Sequence, residues 1–104
     1  MTTYIATRHP GALNWLVAKG IMGEIVPHWT EEKIARLQPG DRVYGNLPVA
    51  MIAAILKRGA DFFLITLPKI PEELRGKELA AEDMEKYGAA LYRVTALELE
   101  EVRE

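Results

Sequence analysis

The chain has 104 residues, 49% of them apolar and 27% charged, with 13 basic and 15 acidic side chains and a formal net charge of −2. That apolar share excludes a disordered chain, and the length allows one domain, residues 1–104, with a thin core. A net acidic chain is not expected to grip duplex nucleic acid, because clustered basic groups supply that affinity, and the absence of cysteine removes disulfides, thiol catalysis and thiolate metal sites.

The elements read in order as follows. Thr3 to Thr7 is rich in β-branched and aromatic residues and predicts a strand. Its flanks carry no charged segment followed by a long apolar run, so no signal peptide is expected. No window reaches the roughly 18 apolar residues of a membrane span; the expected location is the cytoplasm. Pro10 suits the first turn of a helix running to Lys19, with Ala12, Leu13, Leu16 and Val17 on one face and Gly20 as its stop.

Ile21 to Val26 predicts a weaker second strand. Thr30 reads as the N-cap of a short helix from Glu31 to Leu37, with Lys33 where a full capping box has glutamate. Arg42 to Gly45 predicts a third strand. Pro48 to Lys57 follows as a helix apolar almost all round, which needs a second surface besides the sheet; a second subunit is one candidate. Asp61 to Leu67 is a continuous apolar run, the pattern of a central parallel strand. Lys69 to Lys77 is a loop, and a helix starts near Ala80 with Glu82, Asp83 and Glu85 placed as the helix dipole prefers. After Gly88, alternation of Tyr92, Val94 and Ala96 predicts an edge strand, while Leu91, Leu97, Leu99 and Val102 fit an extended helix instead.

Strand–helix alternation repeated four times predicts an open α/β fold, a mostly parallel sheet of four to five strands with helices on both faces. Ligands in such folds bind beyond the carboxyl ends of the strands. Three turns fall there: Thr7 to Gly11, Asn46-Leu47-Pro48 and Thr66-Leu67-Pro68.

In the first turn, Arg8 is suited to a forked contact with phosphate. His9 is suited to proton transfer, since histidine changes charge near neutrality. The Thr7 hydroxyl and the backbone N–H at Gly11 would serve the same anion. Asn46 and Thr66 are candidates for a base edge or a ribose hydroxyl. Arg75, Gly76 and Lys77 form a basic loop suited to covering a phosphorylated ligand. Each has a plainer reading beside it: a surface ion pair for Arg8, a helix cap for His9, a turn for Gly11 and Asn46, and a solvated charge run for Arg75 and Lys77. His28 and Trp29 follow the second strand, the tryptophan as a stacking surface or as core. No paired-carboxylate site, P-loop or catalytic triad is present, and two histidines leave little for a transition metal.

Thr2-Thr3-Tyr4, the block Thr7-Arg8-His9-Pro10-Gly11-Ala12, the turn Gly45-Asn46-Leu47-Pro48, and Glu73-Leu74-Arg75-Gly76-Lys77-Glu78-Leu79 with Ala81-Glu82-Asp83-Met84-Glu85 resemble a small CRISPR-associated family. It accompanies type III systems and is counted among the ring nucleases. The resemblance covers nearly the whole chain. It implies a Rossmann-like subunit in a homodimer that binds cyclic tetra-adenylate, the messenger of the antiviral response, across its two-fold axis. It further implies cleavage to linear di-adenylate, by attack of the ligand's own 2′-hydroxyl and without a metal or other cofactor. In that scheme Arg8 stabilises the phosphorane charge and His9 moves a proton or hydrogen-bonds the phosphate. Thr7, Gly11, Asn46 and Thr66 position the ligand, and Arg75 and Lys77 cover it. A sensor or sponge that binds the messenger without cutting it is the alternative, and an unrelated nucleotide-binding protein the third reading.

Overall fold

Backbone pairing follows the apolar runs closely. In the computed structural model, which describes residues 1–103, the chain forms β1 (Thr3–Ala6), α1 (Pro10–Ala18), β2 (Glu24–Ile25), α2 (Glu31–Ala35), β3 (Arg42–Gly45), α3 (Val49–Lys57), β4 (Asp61–Thr66), α4 (Ala81–Lys86) and β5 (Ala90–Arg93). A single 3-10 turn, Glu72–Leu74, interrupts the loop before α4. The five strands form one sheet in the order β2-β1-β3-β4-β5. The β2–β1, β1–β3 and β3–β4 pairs are parallel, and β5 runs antiparallel to β4 with Thr66 opposite Ala90. This is a Rossmann-like open α/β arrangement.

Because side chains alternate across a strand, the sheet feeds two separate layers. Ala6, Val43 and Phe62 face a core with Trp29, Ile34 and Leu37 from the α2 region and Ile52 and Ile55 from α3. Ile5, Tyr44 and Ile65 face a core with Ala12, Trp15 and Leu16 of α1 and Met84 of α4. Tyr44 stacks on Phe63 in this layer, with ring centroids 4.5 Å apart. Trp15 ties the two helices together: its indole N–H donates to Glu85 at 3.0 Å, and Lys19 pairs with the same carboxylate at 2.6 Å.

Several local expectations meet specific outcomes. Thr30 caps α2, its hydroxyl accepting the Lys33 N–H at 3.2 Å. The second strand shrinks from Ile21–Val26 to Glu24–Ile25: at its amino end the Ile21 N–H bonds to the Leu16 carbonyl and closes α1 instead, and at its carboxyl end Pro27 has no N–H to extend the ladder. The ambiguous end of the chain takes the strand reading at Ala90–Arg93 and continues without regular structure. That tail supplies a second surface for α3: Val94 and Leu97 pack against the cluster that also takes in Ala54 and Leu56. The apolar circumference of α3 is therefore met largely within the chain, although Val49 stays 58% exposed.

Asp41, unremarked in the sequence, anchors the start of β3. It is 4% exposed, and its carboxylate accepts the backbone N–H groups of Gln38 and Thr2, each at 2.9 Å. The Gln38 bond first, and the Thr2 bond with it, hold its carboxyl below the usual range despite burial. A lowered folded value means that this stabilisation is present above the ordinary carboxylate range, near pH 4, and is lost as pH falls through the folded value. Asp41→Asn should destabilise the fold by about 1–3 kcal/mol at neutral pH. The gap from wild type should narrow in acid; urea unfolding at pH 7 and pH 3 reads both, and an equal gap at both would show the charge to be irrelevant.

Candidate functional site

The chain leaves β1 for β2 on one side and returns to β3 on the other, so the sheet's topological switch point lies between the carboxyl ends of β1 and β3. Gly45 lets those ends close up. Its φ is +143°, and a Cβ there would lie 2.8 Å from the Ala6 carbonyl oxygen. A cavity of about 500 Å³ opens on the α1/α4 side of this edge. Thr7, His9 and Asn46 line it, with Gly76, Lys77 and Glu78 from the loop before α4 and an apolar wall that includes Ile65, Leu67, Ile70 and Met84. That volume lies in the ordinary range of small-molecule sites.

All three strand-end turns thus reach the cavity, but not every predicted residue does. Thr7, His9, Asn46 and Lys77 line it. Arg8 does not: it is exposed, and its Nη1 lies 3.5 Å from Nε2 of His28, a neighbour that the sequence reading left out of the site. Thr66 does not either; its hydroxyl donates to the Ala90 carbonyl at 3.4 Å, across the β4–β5 ladder. Arg75 is exposed at the end of the 3-10 turn, outside the lining. Gly11 is buried, and a Cβ on it would fall 1.7 Å from the Leu79 carbonyl oxygen. Its bareness lets the strap of residues 76–80 lie directly against the first turn of α1, which brings Lys77 and Glu78 to the cavity.

His9 holds a defined posture. It is the N-cap of α1, with Pro10 in the first turn, and its Nδ1 accepts the Ala12 N–H at 3.4 Å while its own N–H donates to the Thr7 hydroxyl at 3.2 Å. An imidazole that accepts at Nδ1 carries its proton on Nε2. With the Nδ1 lone pair given to the helix, the Nε2–H is the ring group left for a ligand of the cavity that His9 lines.

The charges divide in the same way. Glu85 is held below the usual carboxylate range by its hydrogen bond to Lys19, then by that to Trp15, and belongs to the α1–α4 junction. Asp83 accepts the Ala80 N–H at 3.1 Å and caps α4. Neither Lys77 nor Glu78 forms an ion pair among the described residues. Among the described residues, no group of three or more histidine, aspartate or glutamate side chains is placed to hold a metal ion and no helix is long and apolar enough to cross a membrane.

An open, mostly parallel α/β protein with a largely apolar cleft at its switch point, lined by an unpaired lysine and a helix-capping histidine, is the class that fold and site define. Residues 4–97 match the family model described as "Putative CRISPR-associated protein (Cas_VVA1548)". The chain belongs to that family and is CRISPR-associated. No curated protein and no solved structure matches it.

Proposed function

We propose that the protein is a ring nuclease: it takes cyclic tetra-adenylate across a homodimer and cuts it to linear di-adenylate, ending type III CRISPR signalling. The observation that carries this reading is the switch-point cavity, where Lys77, the His9 Nε2–H, the Thr7 hydroxyl and Asn46 converge beside an apolar wall. The polar groups suit a phosphate and its ribose, and the wall suits a base. Membership of a CRISPR-associated family supports a role in that defence.

The chemistry asks little of the protein. The ligand's 2′-oxygen attacks the adjacent phosphorus, the bond from phosphorus to the 5′-oxygen breaks, and a 2′,3′-cyclic phosphate remains. In-line positioning and stabilisation of the phosphorane charge supply most of the acceleration. Lys77 and the His9 donor take that charge. Thr7 and Asn46 orient the ribose and base. A cavity of about 500 Å³ holds one nucleotide unit, and the remainder of the ring passes over the sheet edge, where Arg8 and His28 meet its further phosphates and a second subunit repeats the site.

Incubation of the purified protein with cyclic tetra-adenylate in EDTA, with products resolved by mass spectrometry, tests the reading. Linear di-adenylate ending in a cyclic phosphate is expected. Tight binding of an intact ring would replace the enzyme with a sensor or sponge, and absence of binding would end the proposal. Within the site, Lys77→Ala should weaken binding by about 10-fold or more, the loss of one charge-assisted phosphate contact. Arg8→Ala should cost less, because it lies outside the cavity. The reverse ranking in a calorimetric titration would move the scissile phosphate to the Arg8–His28 side.

A further inference from the structure

Attack by a 2′-hydroxyl requires something to take its proton, and the posture of His9 excludes the obvious acceptor. Its Nδ1 receives the Ala12 N–H at 3.4 Å, and the neutral tautomer that keeps this bond has its proton on Nε2. Lys77, the other basic side chain in the lining, serves as a cation. One acidic residue lines the cavity: Glu78. It forms no ion pair among the described residues. The nearby acids are committed elsewhere, Asp83 to the Ala80 N–H and Glu85 to Trp15 and Lys19.

Its position is also built. Leu79, the next residue, is 9% exposed, and its carbonyl lies against Gly11, two residues from His9. The Ala80 N–H beyond it is tied down by Asp83. Glu78 lines both the cavity and the adjoining cleft over Pro10, Gly11 and Asn14, so it stands on the rim facing the turn that carries His9.

We infer that Glu78 is the general base of the ring-opening step, opposite the His9 donor. This rests on the ring-nuclease reading above. The step balances without a cofactor. Glu78 takes the proton of the 2′-hydroxyl as the 2′-oxygen bonds to phosphorus; His9 Nε2–H and Lys77 hold the phosphoryl oxygens; the 5′-oxygen leaves and takes a proton from water; and Glu78 returns its proton to solvent.

The test uses the full-length protein, cyclic tetra-adenylate and EDTA. Glu78→Gln should slow single-turnover cleavage by roughly 10²–10⁴-fold, with binding unchanged or tighter, because a negative charge has left an anion site. Glu78→Asp should recover part of the rate. The pH–rate profile should lose its acidic limb in Glu78→Gln and keep whatever His9 and Lys77, the other titratable groups lining the cavity, contribute. Cleavage by Glu78→Gln within about threefold of wild type, with the same profile, would overturn the assignment and leave the ring-nuclease reading standing. A wild-type protein that leaves the ring intact would overturn both. Parallel loss of binding and rate would make Glu78 a structural residue and equally overturn its role as base.

Discussion

Gly11→Ala should cost the protein both stability and its site. The Cβ would arrive 1.7 Å from the Leu79 carbonyl oxygen, a backbone atom that no rotamer change can move aside. Either α1 withdraws from the sheet or the strap of residues 76–80 lifts away. Overpacking of this kind typically costs 1–3 kcal/mol and occasionally more; contact with rigid backbone on a buried helix turn puts this case at about 3 kcal/mol. A melting temperature lower by about 12–24 °C is the expected reading for a domain of this size. Asn14→Ala, exposed on the same helix, should shift it little. The displaced strap carries Lys77 and Glu78, so ligand binding should fall even at temperatures where the variant stays folded. Near-wild-type stability would mean that Gly11 and Leu79 are not in contact in solution.

His9→Asn should separate the two tasks of the histidine. Asparagine is among the best N-caps, and its side-chain oxygen can accept the backbone N–H that His9 now accepts. It is too short to present a donor where Nε2 stands. The variant should therefore melt near wild type and yet cleave roughly 10²–10³-fold more slowly, the loss seen when a donor to a developing oxyanion is removed. His9→Ala should lose the cap as well, at about 0.5–2 kcal/mol. If His9→Asn cleaves normally, the ring serves the helix alone. If it melts as early as His9→Ala, the capping geometry is not what holds this turn.

The fold was legible wherever the pattern was local. Arg42–Gly45 and the apolar run from Asp61 became β3 and β4 because strands buried on both faces need continuous apolar sequence. Less legible was the partner of α3, because Val94 and Leu97 lie about forty residues further along, in a segment whose apolar pattern fits a strand and a helix alike. In the site, position was readable and direction was not. Near a strand end, neighbours point to opposite sides. Thr7 and His9 turn into the cavity while Arg8 turns toward His28, and Ile65 and Leu67 turn in while Thr66 bonds to Ala90. Glu78 passed as one more charge in an acidic and basic run. Only the packing of Leu79 against Gly11 distinguishes it, and that contact spans 68 positions (79 − 11).

The division of the core into two layers leaves one tryptophan in each. Trp15 lies between α1 and α4 with its indole N–H bonded to Glu85, and Trp29 lies on the other face, edge-on to Tyr4, with its indole N–H buried and unpaired among the described residues. The chain thus carries its own pair of fluorophores, one per face, in unlike electrostatic surroundings. With either one replaced by phenylalanine, the emission of the other reports on a single layer. Whether the cavity side loosens before the opposite side can then be followed optically, without any label.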